Sequence, residues 1–133
     1  MKNLKRTIDL VSKKCDLDIS REDKDLMNPY WLLDAIVQEA QEVKEEIKPN
    51  NSPHLEDELG DMLWGWITLV EKLKRQRFVG THEDIFKRML KKYQERIEPL
   101  DGTIKDYKSW KEVKERQKQN LIEECVSNTI KNL

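Results

Sequence analysis

The sequence predicts an all-α fold, a bundle of four to five helices, on two observations. Only four Gly and four Pro punctuate its 133 residues. Between them, apolar residues recur at steps of three and four rather than in strict alternation. Hydrophobic residues make up 37% of the chain and charged residues 38%, which is enough apolar material for one folded domain over 1–133.

The first two helices are delimited by apolar spacing and by proline. The spacing predicts helix one from about Leu4 to Lys14. Pro29 suits a first helical turn and Pro49 cannot continue a helix, so helix two is predicted from near Pro29 to Ile47.

The next two helices have clearer start signals. Ser52 is an N-cap candidate directly before Pro53, and helix three is predicted to reach about Arg77. Helix four is predicted to follow Gly80, with a threonine cap, and to end before Pro99. The predicted core of the domain therefore covers about 29–100.

The last helix is predicted over about 105–120, and we expect its tail to fray after Asn120. The longest apolar stretch, Met62 to Val70, has about half the length of a bilayer span. No apolar run of signal-peptide length follows the N-terminus, so we expect a cytoplasmic location. Cys15 and Cys125 stand far apart, and their spacing predicts neither a zinc site nor a disulfide.

The net charge does not indicate a polyanionic partner, but the local placement of acidic residues is informative. The 25 basic and 26 acidic residues nearly cancel, so neither a nucleic-acid polymer nor a membrane surface is an expected partner. On helix two the apolar stripe consists of Leu33, Ile36, Ala40, Val43 and Ile47. At about 100° per residue, Glu39 and Glu42 lie on the flank of that stripe.

Helix three repeats this arrangement. Its stripe consists of Leu59, Met62, Leu63, Trp66, Val70 and Leu73. Glu58 and Asp61 lie on its flank, so each of the two helices offers an i, i+3 pair of carboxylates near a buried seam. Gly65, one turn after Asp61, leaves space where a ligand or a second helix can approach closely.

Four carboxylates brought together repel one another, and a hard divalent cation removes that repulsion. Oxygen ligands without nearby Cys or His match Mg²⁺, with Mn²⁺ as an alternative, and such a site usually holds a phosphorylated substrate. A di-iron centre fits less well, because those sites use Glu-x-x-His pairs. The other interpretation of the acids, a solvated helix face, has about equal weight on spacing alone.

Two further features suit a nucleotide. Arg88, Lys92 and Arg96 form a column on helix four, suited to triphosphate oxygens and equally to solvation or to pairing with acids. Trp31 is a candidate for stacking on a base, although an aromatic residue on a helix face is more often part of a core.

Four segments in order resemble a known family. Glu39-Ala-Gln-Glu42 and Glu58-Leu-Gly-Asp61 resemble the E-x-x-E and E-x-x-D motifs of the MazG-type nucleoside triphosphate pyrophosphohydrolases, within the wider all-α group that includes dimeric dUTPases. Lys92-Tyr-Gln-Glu-Arg96 and Trp110-Lys-Glu-Val-Lys114 are similar to two later segments of that family. Gln38 stands where many members have a further Glu.

The resemblance implies residue roles and an activity. It implies that Glu39, Glu42, Glu58 and Asp61 are catalytic magnesium ligands, and that Lys92 and Arg96 contact the triphosphate. The implied reaction is Mg-dependent hydrolysis of an NTP or dNTP to the monophosphate and pyrophosphate, for house-cleaning of the nucleotide pool, by a homodimer or a dimer of dimers. Hydrolysis of dUTP or phosphoribosyl-ATP, and a non-enzymatic helical adaptor, remain the alternatives.

Overall fold

The computed structural model describes residues 1–22 and 25–133 of the chain. Within them lie five α-helices and a short 3₁₀ turn, Asp25–Met27, and no strand, which confirms the all-α prediction. The helices are α1 (Lys2–Ser20), α2 (Pro29–Glu46), α3 (Ser52–Arg75), α4 (His82–Ile97) and α5 (Lys105–Lys131). No helix among the described residues has the length and apolar character needed to cross a bilayer.

The helices group into two compact units, residues 1–82 and 83–133. In the first, α2 and α3 pack against each other as a helical hairpin, and α1 packs on α3. The short connection over 47–51 makes α2 and α3 antiparallel neighbours. The second unit contains α5 and all of α4 except its first residue. The prediction of a single domain over 1–133 stays a prediction.

Helix α1 is six residues longer at its C-terminal end than the predicted Leu4 to Lys14. Val11 and Cys15 pack with Ile67 in a fully buried cluster, against which Leu4, Ile8 and Trp66 lie. Asp18, one turn after Lys14, is 1% exposed and forms an ion pair with Lys14. Tertiary packing against α3 therefore continues a helix beyond the point where its own sequence favours it.

The α2–α3 hairpin agrees with the predicted boundaries to within two residues, but its cap differs. Asn51, and not Ser52, occupies the N-cap of α3, and its side chain makes no capping hydrogen bond. Instead, Nδ2 of Asn51 donates to the backbone oxygen of Glu46 at 2.9 Å. α3 stops before Arg77, whose φ of +66° is left-handed.

The predicted apolar stripe of α2 is partly wrong. Leu33 and Ile47 are exposed, whereas the neighbouring Leu32 is buried. On α3 the buried segment lies in the C-terminal half of the helix, and Leu59 and Leu63 remain about half exposed at 48% and 51%. Ile36, Ala40 and Val43 of the predicted α2 stripe remain partly buried, so the prediction fails at the two ends of that stripe and in the N-terminal half of α3.

Buried charges connect α1 to the C-terminal half of α3. Glu71 is 1% exposed, and Nε of Arg75 donates to its Oε1 at 2.9 Å while Nζ of Lys74 lies 3.2 Å from its Oε2. Arg75 also donates to Oδ1 of Asp16 at 2.7 Å. The buried Lys72 lies with its Nζ 4.0 Å from Asp18 Oδ2. Each of these carboxylates therefore has at least one cationic partner.

In the second unit, α5 continues to Lys131 rather than ending near Asn120 as predicted. Arg88 of α4 donates from both terminal nitrogens to the two oxygens of Glu124, at 3.1 and 2.9 Å. This bidentate pair lies in the extension beyond Asn120 and ties it to α4. At the start of α5, the carboxylate of Asp106 accepts from the backbone N–H groups of Asp101 and Gly102.

Candidate functional site

The α2–α3 hairpin brings three of the four predicted acids to one point. One carboxylate oxygen each from Glu39, Glu58 and Asp61 lies within 4.8 Å of the other two. Helical periodicity explains the arrangement, since residues three apart share a face and the two helices are packed side by side. The acids therefore face one another across the seam rather than pointing to opposite sides of the hairpin.

Two oxygens of this cluster are buried without a partner. Oε2 of Glu39 and Oε2 of Glu58 are inaccessible to solvent, and neither has a hydrogen-bond partner among the residues that the structure describes. A buried carboxylate oxygen in this condition is costly, and most buried polar atoms in proteins are satisfied. A purely solvated acidic face would not place its oxygens in this way.

Glu42 lies beside the cluster, close enough to influence both Glu39 and Glu58. The hydrogen bond with Glu42, burial and the neighbouring negative charges together raise the pKa of Glu39 to about 7. Burial and the charge of Glu42 also raise the pKa of Glu58 above its usual value.

The donor set fits a hard divalent cation. All the facing atoms are carboxylate oxygens, the ligands that Mg²⁺ and Mn²⁺ prefer. The three carboxylate oxygens lie within 4.8 Å of one another, so Glu39, Glu58 and Asp61 would together hold one such cation. A cation there would also supply the missing partner of the two buried oxygens.

Glu46, the next acid in the column on α2, is used differently. Its Oε2 accepts from Nδ2 of Asn51 at 2.6 Å, and its backbone oxygen accepts from the same nitrogen. This contact closes the connection between α2 and α3. Glu46 follows Glu42 by four residues and so lies on the same face of α2, but its role in the structure is to hold the turn.

Lys92 and Arg96, the predicted triphosphate contacts, lie in the second unit. They line a groove of about 870 Å³ between α4 and α5. Lys92 is exposed, with Nζ 5.6 Å from the centre of the Tyr93 ring. Arg96 is held more firmly, because its Nε donates to Oε1 of Gln117 at 2.8 Å and its guanidinium lies 5.4 Å from the Trp110 ring.

Sequence reasoning missed Gln117, a buried polar residue that joins α5 to α4. Its Nε2 donates to the backbone oxygen of Lys92 at 2.9 Å. The available signal was its position four residues after Val113, which is also buried. Gln117 thus fixes the segment that carries both predicted phosphate contacts.

Trp31, the predicted base contact, lies in the first turn of α2 and is 48% exposed. It stands eight residues before Glu39, which corresponds to about 12 Å along the helix axis. Its indole is therefore available to a ligand, and its role as a base contact stays a prediction.

Comparison with known proteins agrees with this geometry. The sequence model of the MazG nucleotide pyrophosphohydrolase domain matches residues 28–99, more than half of the chain. The chain belongs to the MazG family. Searches of curated proteins and of solved structures found no match. The matched range includes all four acids and extends through Lys92 and Arg96, so the family assignment and the acidic cluster support the same general activity, nucleotide pyrophosphohydrolysis.

Proposed function

We propose that this MazG protein is a Mg²⁺-dependent nucleoside triphosphate pyrophosphohydrolase, with Mn²⁺ as an alternative metal. The observation that carries the proposal is the cluster of Glu39, Glu58 and Asp61, in which two buried carboxylate oxygens lack a partner. The reaction consumes one water, breaks the anhydride between the α and β phosphates, and gives the monophosphate and pyrophosphate. The family assignment supports the reaction class.

The residues of the chain have distinct proposed roles. Glu39, Glu42, Glu58 and Asp61 hold the metal, and one carboxylate in or beside this set accepts the proton of the attacking water. When bound, Mg²⁺ supplies Lewis-acid stabilisation of the phosphate charge and lowers the pKa of a bound water. Lys92 and Arg96 bind triphosphate oxygens and stabilise the departing pyrophosphate. The exposed Trp31 stacks on the base.

The proposed assembly is a homodimer, which can pair again into a tetramer. On α3, Leu59, Leu63 and Trp64 are 48%, 51% and 37% exposed. Three large apolar residues so close together on one helix favour burial against another surface. A second copy of the chain supplies such a surface under closed symmetry. Sedimentation showing a monomer at micromolar concentration would count against this assembly.

The proposed use is the removal of non-standard nucleotides from the pool. The deciding experiment is a panel of standard and modified nucleoside triphosphates, with dUTP and phosphoribosyl-ATP included, assayed for pyrophosphate with Mg²⁺ and with EDTA. We expect Mg²⁺-dependent pyrophosphate release from at least one member, and none from the Glu58→Gln variant.

Other outcomes of the panel have definite meanings. Release of inorganic phosphate and a nucleoside diphosphate would overturn the proposed reaction. Turnover restricted to dUTP or phosphoribosyl-ATP would keep the chemistry and change the substrate. Absence of any turnover with Mg²⁺ or Mn²⁺ would favour a helical adaptor.

A further inference from the structure

The close approach of α2 and α3 next to the acidic cluster depends on a single glycine. Gly65 is buried, and an ideal Cβ atom placed on it lies 2.9 Å from Cγ1 and 3.7 Å from Cδ1 of Ile36. Carbon atoms in favourable contact are separated by about 3.5 to 4.0 Å. Any side chain at Gly65 therefore requires Ile36, or the helix that carries it, to move by roughly 0.6 Å or more.

This contact lies one helical turn from the acids on both helices. Ile36 precedes Glu39 by three residues on α2, and Gly65 follows Asp61 by four residues on α3. Because the two helices are antiparallel, the Ile36–Gly65 contact and the Glu39–Asp61 pair form neighbouring layers of the same seam. A change in helix separation at one layer is transmitted to the next, about 5 Å away along the axis.

The clashing atom cannot move aside at little cost. Cγ1 is the branch of Ile36 next to Cβ rather than the end of a long side chain, and β-branched residues in helices have one strongly preferred rotamer. Mg²⁺ demands near-ideal octahedral geometry at about 2.0 to 2.1 Å. A displacement of about 0.6 Å exceeds the roughly 0.5 Å tolerance of a preorganised site.

We propose that Gly65 and Ile36 are positioning residues, which set the α2–α3 separation that the metal cluster requires. The proposal rests on the proposed metal-dependent function and extends it to residues that touch neither metal nor nucleotide. Gly65 acts by having no side chain, and Ile36 acts as the surface against which the α3 backbone rests. Glu39 is thereby held at the distance from Glu58 and Asp61 that one cation can bridge.

The test measures Mn²⁺ affinity, by titration calorimetry or by electron paramagnetic resonance of free Mn²⁺, and does not depend on turnover. We expect Gly65→Ala to weaken Mn²⁺ binding at least about tenfold while circular dichroism shows an unchanged helical content. The matched control is Gly60→Ala on the same helix, where an added Cβ meets nothing within 4 Å. This control should bind Mn²⁺ within about twofold of the unmodified protein.

A second pair of variants keeps the test decisive even if Gly65→Ala alone fails to fold. Ile36→Ala removes the clashing Cγ1, so adding Gly65→Ala to it should leave Mn²⁺ affinity within about twofold of Ile36→Ala alone. Ile36→Val keeps the γ carbons, so Gly65→Ala in that background should still weaken binding about tenfold. Unchanged Mn²⁺ affinity in folded Gly65→Ala would overturn the proposal, as would an equal loss in the Ile36→Ala background.

The two proposals can fail separately. If the unmodified protein binds Mn²⁺ but releases no pyrophosphate from any nucleotide, the proposed reaction fails and the spacing of the metal cluster is still tested. If the unmodified protein binds no Mn²⁺ or Mg²⁺, the metal centre itself is wrong and the positioning role of Gly65 and Ile36 is overturned with it.

Discussion

The two halves of α3 carry buried carboxylates in opposite electrostatic surroundings. In the C-terminal half, Glu71 is 1% exposed and contacts Arg75 and Lys74. In the N-terminal half, Glu58 faces other carboxylates, and its buried Oε2 has no hydrogen-bond partner within 1–22 and 25–133. One helix thus contains a satisfied carboxylate and an unsatisfied one about 20 Å apart along its axis.

The contrast shows how a structural charge differs from a functional one. Burial alone would raise the pKa of Glu71, but hydrogen bonds from Arg75 and Lys74 outweigh burial and hold the pKa below its usual value. The pKa of Glu58 is instead raised, first by burial and then by Glu42. The fold provides cationic partners for Glu71 itself, whereas the proposed metal site at Glu58 would take its cation from solution.

The largest expected effect is on activity, and it concerns the acidic cluster formed by α2 and the N-terminal half of α3. Replacing Glu39, Glu42, Glu58 or Asp61 by its amide should lower kcat/KM at least about hundredfold, because a metal ligand is lost. Metal-free stability should hold or rise, since like-charge repulsion falls. Pyrophosphate release and Mn²⁺ titration measure the two effects. Glu45→Gln, at an exposed position of the same helix, is the control, and unchanged metal binding in all four variants would refute the assignment.

In the C-terminal half of α3, the loss of a carboxylate should lower stability rather than leave it unchanged or raise it. Glu71→Gln removes the buried carboxylate that contacts Arg75 and Lys74, although Arg75 keeps Asp16. The loss of these charge-assisted hydrogen bonds should lower the free energy of unfolding by about 2 kcal/mol. Urea denaturation of the metal-free protein measures this. Glu56→Gln, exposed on α3, should change stability by no more than about 0.5 kcal/mol. Equal stability of the Glu71 and Glu56 variants would remove the distinction between the two halves.

The comparison also separates what the sequence predicts from what it does not. The structure brings Glu39, Glu58 and Asp61 together, because an i, i+3 spacing is local to each helix and one hairpin is enough to bring the two pairs side by side. The role of these acids and of Glu42 as metal ligands stays a prediction. The ion pairs of Glu71 could be anticipated in part, since Arg75 lies one turn away on the same helix.

Other contacts could not be read from local spacing. The burial of Lys72 near Asp18 depends on how α1 is aligned along α3, which no periodicity within either helix specifies. The same applies to Gln117 and Arg96, which meet only once α5 lies beside α4. The length of α1 was underestimated in part for this reason, because Asp18 in its last turn is buried near Lys72 of α3 as well as paired with Lys14 of its own helix.

The contributions of Glu39 and Glu71 to the pH dependence of stability should differ in sign. In the metal-free protein the pKa of Glu39 is raised to about 7, so the folded form binds more protons than the unfolded form between about pH 4.3 and 7. The free energy of unfolding should therefore fall as pH rises through that window. The pKa of Glu71 is lowered in the folded protein. Its contribution to the free energy of unfolding is therefore present at pH values above the pKa of Glu in the unfolded chain, and it is lost as pH falls below that pKa.

Urea denaturation in EDTA at pH 5 and pH 7 measures the dependence on Glu39. We expect the metal-free protein to be more stable at pH 5 than at pH 7, and Glu39→Gln to reduce that difference. Glu45→Gln should keep it. Saturating Mn²⁺ should reduce it as well, because a bound cation offsets the negative charges that raise the pKa of Glu39. A stability that is equal at both pH values in EDTA would contradict the raised pKa of Glu39.

The smallest expected effect concerns two basic residues of the second unit, Lys92 and Arg96. They differ as Glu58 and Glu71 do, because the fold supplies firm partners for only one of the two charges. Arg96 is held by Gln117 and Trp110, so its replacement would combine a loss of packing with a loss of charge. Lys92 is exposed, so Lys92→Met removes charge with little structural cost.

If Lys92 contacts the triphosphate, kcat/KM should fall about tenfold, the value of one charge-assisted hydrogen bond. Mn²⁺ affinity should not change, and pyrophosphate should remain the product. Lys111→Met, at an exposed lysine of α5 that does not line this groove, should leave the kinetics unchanged. Equal kinetics in the Lys92 and Lys111 variants would mean that Lys92 is solvated rather than bound to substrate.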